Sequence, residues 1–135
     1  QLFRDHQAEI AVWNSALLCI FPGYGMSLKE LWQLVTAATG FDYPTPGDLE
    51  LLGERVSTLA RLFNTREGLT REHDTLPARN LKQPMKGGPA EGHTVDLDPM
   101  MDEYYRLMGW SNNGIPTPER LQELGLASLL ETAGK

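Results

Sequence analysis

Cysteine and long apolar runs are scarce in this 135-residue chain, and each scarcity excludes a class of protein. The single cysteine, Cys19, rules out an internal disulfide and fits a reducing, cytoplasmic setting. No apolar run approaches the ~18 residues of a membrane span, and no charged-then-apolar-then-small pattern marks a secretory signal. The chain also begins with Gln1, inside a helical pattern, so we expect a piece of a larger protein.

Basic side chains are in the minority, since 12 Lys and Arg face 18 Asp and Glu for a net charge of −6. They concentrate in residues 55–86, which carry a balance of +4 between two segments of −5 each. A basic stretch of that size in an acidic chain is too small for a nucleic-acid footprint. The length and a hydrophobic content of 41% predict a single domain over residues 1–135.

Apolar residues at intervals of three and four predict an all-α fold, an irregular bundle of about five helices. The first helix runs from Leu2 to Phe21. Its last six residues are all apolar, so this end should be buried on every side. Ser27 and Glu30 form a capping box for the second helix, and Gly40 ends it.

The third helix is predicted from Asp48 to about Thr65, with Gly68 as its stop. Gly53 lies inside it and predicts close packing against a neighbour. The apolar stripe of this helix comprises Leu49, Leu52, Val56, Leu59 and Phe63.

Residues 69–95 lack a helical period and hold several prolines and glycines, which predicts a long ordered loop. Asp98–Pro99 predicts the N-cap and first residue of a helix that ends near Met108. Thr117–Pro118 gives the same signal for a short last helix that Gly125 closes.

The residue spacings predict no metal site formed by this chain alone. The three histidines share no ligand spacing, which argues against zinc; they are His6, His73 and His93. The acidic cluster in residues 96–103 fits a helix N-terminus better than a calcium site.

Cys19 leaves two interpretations open. A lone cysteine in an apolar helix is usually a small core residue. At 100° per residue, however, Cys19 lies about 140° from the centre of the Ile10–Ile20 stripe, so it would face another domain or a cofactor.

An irregular segment between residues 64 and 79 concentrates charges of both signs. They are Arg66, Arg71, Arg79, Glu67, Glu72 and Asp74. Two arrangements are open: a solvated loop with ion pairs worth under ~1 kcal/mol each, or a buried network in which Arg forks clamp carboxylates.

Three motifs follow one another with specific spacing. They are Arg61-Leu-Phe63-Asn64-x-Arg66-x-Gly68-x-x-Arg71-x-x-Asp74-x-Leu76-Pro77-x-Arg79, Gly88-Pro89-Ala90-x-Gly92-His93-x-Val95-Asp96-Leu97-Asp98 and Gly114-x-Pro116-Thr117-Pro118-x-x-Leu121-x-x-Leu124-Gly125-Leu126. With Tyr104-Tyr105 and Gly109-Trp110 between them, they resemble the C-terminal region of tungsten-containing aldehyde:ferredoxin oxidoreductases. The resemblance covers roughly residues 12–126.

The resemblance implies a helical domain of an enzyme that oxidises aldehydes to carboxylic acids and passes electrons through a [4Fe-4S] cluster to ferredoxin. In that family an N-terminal domain holds tungsten, or molybdenum, between two pterin dithiolenes, and a C-x-x-C-x-x-x-C motif supplies three cluster cysteines. Both would lie upstream of Gln1. We therefore expect the isolated chain to hold no catalytic residue, to bind neither cofactor and to be inactive.

The fourth cluster cysteine of the family belongs to an Asp-x-x-Gly-Leu-Cys motif, which aligns with residues 14–19. The alignment implies Cys19 as the [4Fe-4S] ligand and places Asn14 and Leu18 beside a pterin. Asn14 and Leu17 depart from the motif, since they replace its Asp and its Gly. His73 departs as well, because the family has an acid at that position.

Four residues are implied to pin a domain interface or to line the substrate passage. They are Arg66, Arg71, Asp74 and Arg79. The implied partners are the remaining domains of the same polypeptide, ferredoxin, the aldehyde and, for the full-length enzyme, a second copy. Two alternatives stand beside this hypothesis: a relative such as the catalytic subunit of a tungsten-dependent benzoyl-CoA reductase, and a helical interaction module without a redox role.

Overall fold

The computed structural model describes residues 1–129, which form six α-helices joined by loops and three short 3₁₀ turns. The helices are α1 (Leu2–Ser15), α2 (Leu28–Thr39), α3 (Pro46–Arg66), α4 (Ala78–Lys82), α5 (Leu97–Met108) and α6 (Pro118–Glu123). Strands are absent from this part of the chain, which has two isolated β-bridges, so the all-α prediction is confirmed. None of the described helices is both long and apolar enough to cross a membrane.

Helix α1 ends at Ser15, six residues before the predicted end at Phe21. Leu17 adopts a left-handed conformation with φ of 57°. Its N–H donates to the carbonyl of Asn14, and the Leu18 N–H donates to that of Trp13, both at 3.1 Å. These two bonds form a Schellman motif, which terminates the helix. None of residues 16–21 is buried, so the prediction of an end buried on every side is wrong for this chain.

The boundaries of α2 agree with the sequence analysis. The Ser27 hydroxyl accepts from the Glu30 N–H at 3.3 Å, and the Glu30 carboxylate accepts from the Ser27 N–H at 2.7 Å. Gly40 follows the helix with φ of 70°. The capping box and the glycine stop are therefore confirmed.

Helix α3 packs against α1 at Gly53. A Cβ placed on this glycine would lie 2.0 Å from the carbonyl oxygen of Ala8, so only glycine permits the contact and the predicted close packing is confirmed. Leu49 and Leu52 of the predicted apolar stripe pack in the core. The prediction is wrong further along the helix, because Leu59 and Phe63 are 47% and 55% exposed. The Gly53 contact instead turns a largely polar face of α3 inward.

Three apolar clusters form the core. Their buried members are Val12, Trp13, Leu31 and Leu49 in the first, Tyr105, Met108 and Trp110 in the second, and Leu121, Leu124 and Leu126 in the third. A buried carboxylate also connects α1, α3 and α6, because Glu54 accepts hydrogen bonds from both Arg4 and Arg120.

Residues 69–95 are mainly loop, as predicted, but they include the unpredicted five-residue helix α4. Helix α5 begins at Leu97 with Asp96 as its N-cap, so the assignment of Asp98 as the cap is wrong. Asp98 instead lies 3.6 Å from the guanidinium of Arg71. The Thr117 cap of α6 is confirmed, since its hydroxyl accepts from the Arg120 N–H at 3.2 Å.

Candidate functional site

Three predicted site residues lie at the surface, in the last turn of α1 and in the segment that follows it. Asn14 and Cys19 are exposed, and Leu18 is 41% exposed. The interpretation of Cys19 as a core residue is therefore wrong. Cys19 does face away from the core, but a left-handed turn places it there rather than a continuous helix.

The surface around this thiol is apolar. Leu17 is 93% exposed and Phe21 is 73% exposed. Large exposed apolar side chains in one short segment are typical of a surface that another domain or protein covers. Within residues 1–129, no three His, Cys, Asp or Glu side chains form a group that could hold a metal ion. Cys19 can thus supply only one ligand of a metal centre.

A groove of about 820 Å³ opens beside α1. Helices α1, α3 and α5 and residues 73–76 form its walls. Asn14 and Ser15 line it at the C-terminal end of α1, and Phe3 lines it at the other end of that helix. The groove therefore extends along α1 and includes the first residue of the Asn14–Cys19 motif.

Arg61 is the central polar residue of the groove. Its side chain is only 8% exposed, and its two terminal nitrogens lie 2.8 and 2.6 Å from the two carboxylate oxygens of Asp74. Its Nε donates to the Gly114 carbonyl at 2.7 Å. A Cβ on Gly114 would lie 2.2 Å from this guanidinium, so the glycine is required there. One buried side chain thus joins α3, the segment around Asp74 and the loop after α5.

Tyr105 completes the network from α5. Its hydroxyl donates to Asp74, and the Arg61 guanidinium lies 5.8 Å from its ring centre. Burial and then this hydrogen bond raise the pKa of Tyr105 to about 12. Burial also opposes ionisation of Asp74, but hydrogen bonds from Arg61 and Tyr105 outweigh it and hold the pKa of that carboxyl below its usual value. At neutral pH the network is a protonated phenol, a carboxylate and a guanidinium.

The four predicted interface or passage residues separate into two pairs. Arg71 lies 2.6 Å from an Asp102 oxygen and donates to the Asn112 carbonyl at 3.1 Å, so Arg71 and Asp74 belong to a tertiary network. Arg66 is exposed and pairs only with its neighbour Glu67. Arg79 is exposed and forms no ion pair with the described residues. The predicted network of Arg and carboxylate groups is therefore found at Arg71 and Asp74, and the predicted solvated loop at Arg66 and Arg79.

Arg61, Tyr105 and Gly114 were not identified as site residues from the sequence. Arg61 is 53 residues from Gly114, and Tyr105 is 31 residues from Asp74, so no local spacing connects them. A weak signal was present, because Arg61 follows Glu54 and Thr58 at intervals of four and three residues along the buried face of α3. A charged residue on a buried face predicts a partner of opposite charge.

Comparison with known proteins gives a consistent result. A family model described as aldehyde ferredoxin oxidoreductase, domains 2 and 3, matches residues 1–126. The chain is 43% identical over 127 residues to the tungsten-containing aldehyde ferredoxin oxidoreductase of Pyrococcus furiosus, covering 93% of this chain and 20% of that protein. It is 41% identical to the protein of the same name in Pyrococcus horikoshii, covering 96% and 21%.

A solved structure is also similar. It is the active-site complex BamBC of benzoyl coenzyme A reductase with 1,5-dienoyl-CoA, at a TM-score of 0.64 and 27% identity over 79% of this chain and 15% of that chain. The present chain spans about one fifth of the length of the curated relatives.

Proposed function

Since the chain belongs to the aldehyde ferredoxin oxidoreductase family, and its residues 1–126 match the family model for domains 2 and 3, we propose that it is the C-terminal part of a tungsten-dependent enzyme. The proposed reaction oxidises an aldehyde, with water, to a carboxylic acid, releasing two electrons and two protons. Ferredoxin is the proposed electron acceptor and the cytoplasm the proposed location. The observation that carries the proposal is the 43% identity to a protein named for this activity.

The exposed thiol of Cys19 fits the proposed role of cluster ligand. A thiolate on non-helical backbone at the surface can reach an iron atom held mainly by another domain, as a buried core thiol could not. A bound [4Fe-4S] cluster would supply single-electron transfer. The apolar side chains of Leu17, Leu18 and Phe21 would exclude water from that position.

Asn14 is proposed to hold a pterin through its side-chain amide, which can both donate and accept hydrogen bonds. Leu18 would contact the pterin through its isobutyl group. Leu17 occupies the position that is Gly in the resembling family, and its φ of 57° gives a physical reason for that glycine. A leucine in place of this glycine therefore strains the backbone of the turn.

The groove along α1 is proposed as part of the substrate passage. Arg61 and Tyr105 both donate to Asp74, so we assign the three side chains a positioning role: they fix the wall formed by residues 73–76. Arg71 anchors the same segment to α5. The exposed guanidinium group of Arg66 is proposed to contact the remaining domains.

Aldehyde oxidation is favoured over the other activities considered. The match to the benzoyl coenzyme A reductase complex is 27% identical, well below the 41–43% shared with the aldehyde enzymes. An interaction module without redox chemistry would leave the exposed Cys19 turn without a role. The full-length enzyme is further proposed to form a homodimer.

The test is expression of the complete reading frame that contains this chain. We expect a longer polypeptide with a C-x-x-C-x-x-x-C motif upstream, bound tungsten, iron and sulfide, and aldehyde-dependent reduction of ferredoxin. Parallel assays with benzoyl-CoA and a low-potential reductant separate the alternative activity. The 135-residue chain alone is the matched control, and it should contain no stoichiometric iron. A reading frame that starts at Gln1, or iron bound by the isolated chain, would contradict the proposal.

A further inference from the structure

Residues 84–95 contain the motif Gly88-Pro89-Ala90-x-Gly92-His93, which has no role in the proposed function. The loop is fixed by backbone hydrogen bonds. The Met85 N–H donates to the His93 carbonyl at 3.0 Å, and the Gly92 N–H donates to the Met85 carbonyl at 2.9 Å. Gly88 and Gly92 take left-handed φ values of 85° and 79°. The loop therefore has a defined shape that depends on its glycines.

The loop also closes against α4. The Val95 N–H donates to the carbonyl of Asn80 at 3.0 Å, which joins the end of the loop to the helix. Between them lies a pocket of about 440 Å³. This volume lies within the range of small-molecule sites and is too large for a single inorganic anion.

The charged side chains of this pocket are both basic, and they belong to Arg79 and Lys86. Arg79, Lys86 and His93 line it, and no Asp or Glu does. Neither Arg79 nor Lys86 forms an ion pair within residues 1–129, whereas Arg61 and Arg71 are each matched by a carboxylate. Unpaired basic groups in a concave site attract an anionic ligand.

The rest of the lining includes both polar and apolar side chains. Asn80, Gln83 and Thr94 offer hydrogen-bonding groups, and Met85 and Val95 offer apolar surface. An anion with an organic body matches this combination better than a bare inorganic ion, because the apolar surface gains only from an apolar partner.

We propose that this pocket binds a small organic anion, with Arg79 and Lys86 holding its phosphate or carboxylate group. His93 donates a further hydrogen bond to that group, and Met85 and Val95 contact the organic body. The site is separate from the Cys19 turn and from the groove along α1, with which it shares no lining residue. It therefore does not depend on the proposed oxidoreductase activity.

The experiment titrates the full 135-residue chain with phenyl phosphate and with phenylacetate, using calorimetry and amide NMR shifts. The neutral 2-phenylethanol is the matched ligand control. We expect at least one anion to bind with shifts confined to residues 79–95, and the alcohol to bind about tenfold more weakly or not at all. The tighter of the two anions identifies the head group as phosphate or carboxylate.

Three variants test which cations act. Arg79→Gln and Lys86→Gln should each weaken binding of the anion about tenfold, the effect of losing one charged hydrogen bond. Lys82→Gln is the matched control, because Lys82 is exposed on α4 but does not line the pocket. Equal weakening by all three variants would show diffuse charge attraction and overturn the proposal, as would the absence of binding by either anion.

Discussion

Replacement of Arg61 by Met tests whether the buried guanidinium joins the walls of the groove. Met preserves the apolar stem and removes the groups that donate to Asp74 and to the Gly114 carbonyl. The variant leaves a partly buried carboxylate without a counter-charge and a carbonyl without a donor. Both changes destabilise the folded state and leave the unfolded chain nearly unchanged.

The expected cost follows from the burial of each partner. Breaking a fully buried ion pair costs about 3–5 kcal/mol. The Asp74 side chain is 29% exposed, so water recovers part of its hydration. Loss of the Gly114 hydrogen bond adds about 1 kcal/mol. We expect Arg61→Met to lower the free energy of unfolding by about 3 kcal/mol, a large share of the stability of a domain this size.

The assay is urea unfolding of the 135-residue chain, followed by circular dichroism and by tryptophan fluorescence. Of the three tryptophans, Trp110 has its ring centre 5.4 Å from the guanidinium. Arg66→Met is the matched control. The side chains of Arg66 and Glu67 are 54% and 53% exposed, so its loss should cost under about 1 kcal/mol.

The pH dependence provides a second criterion. Asp74 is partly buried, which opposes ionisation, but the hydrogen bonds from Arg61 and Tyr105 dominate and its pKa is lowered in the folded state. Its contribution to stability is therefore present above the pKa of the unfolded chain, about 4, and is lost as pH falls through the folded value. The deficit of Arg61→Met should shrink in acid. A deficit no larger than that of Arg66→Met at pH 7, or one unchanged by acid, would refute the reasoning.

Three further predictions concern single positions. Leu17→Gly should raise the free energy of unfolding by about 0.5–1 kcal/mol in urea, because it relieves a left-handed residue whose side chain is 93% exposed; a loss of stability would contradict the assigned φ. Gly53→Ala should lower the free energy of unfolding by about 2 kcal/mol, because the added methyl group clashes with Ala8. Gly87→Ala is the control and should change it little, because no atom lies within 4 Å of the added group. Equal effects of the two variants would argue against the α1–α3 contact. Ultraviolet titration should show one phenol with a pKa of about 12, which Tyr105→Phe removes; if all phenols titrate near 10, the Tyr105–Asp74 bond is absent.

Local signals predicted the helices well where the chain itself supplies the cap. Ser27 with Glu30 and Gly40 fixed both ends of α2, because capping depends on residues within one turn. The predicted end of α1 was wrong because it also depends on residues within one turn, and these residues gave no signal. Leucine is a good helix former and gives no indication of the left-handed conformation that Leu17 adopts.

Tertiary contacts account for the other differences. The apolar residues Val56, Leu59 and Phe63 follow a helical stripe, yet Gly53 determines which face of α3 meets α1 and leaves that stripe partly exposed. The site residues likewise include some that the sequence identified and some that only the fold reveals. Asp74 and Arg71 stood out by composition, whereas Tyr105 is a partner that only the folded chain brings near.

The central claim is that Cys19 holds a [4Fe-4S] cluster in the complete enzyme. The measurement is the iron and acid-labile sulfide content of the full-length polypeptide carrying Cys19→Ala, together with the electron paramagnetic resonance of its reduced cluster. Ser15→Ala, at the exposed last residue of α1, is the matched control. We expect Cys19→Ala to lose or strongly alter the cluster signal and Ser15→Ala to keep it. Unchanged iron, sulfide and spectrum in Cys19→Ala would contradict it.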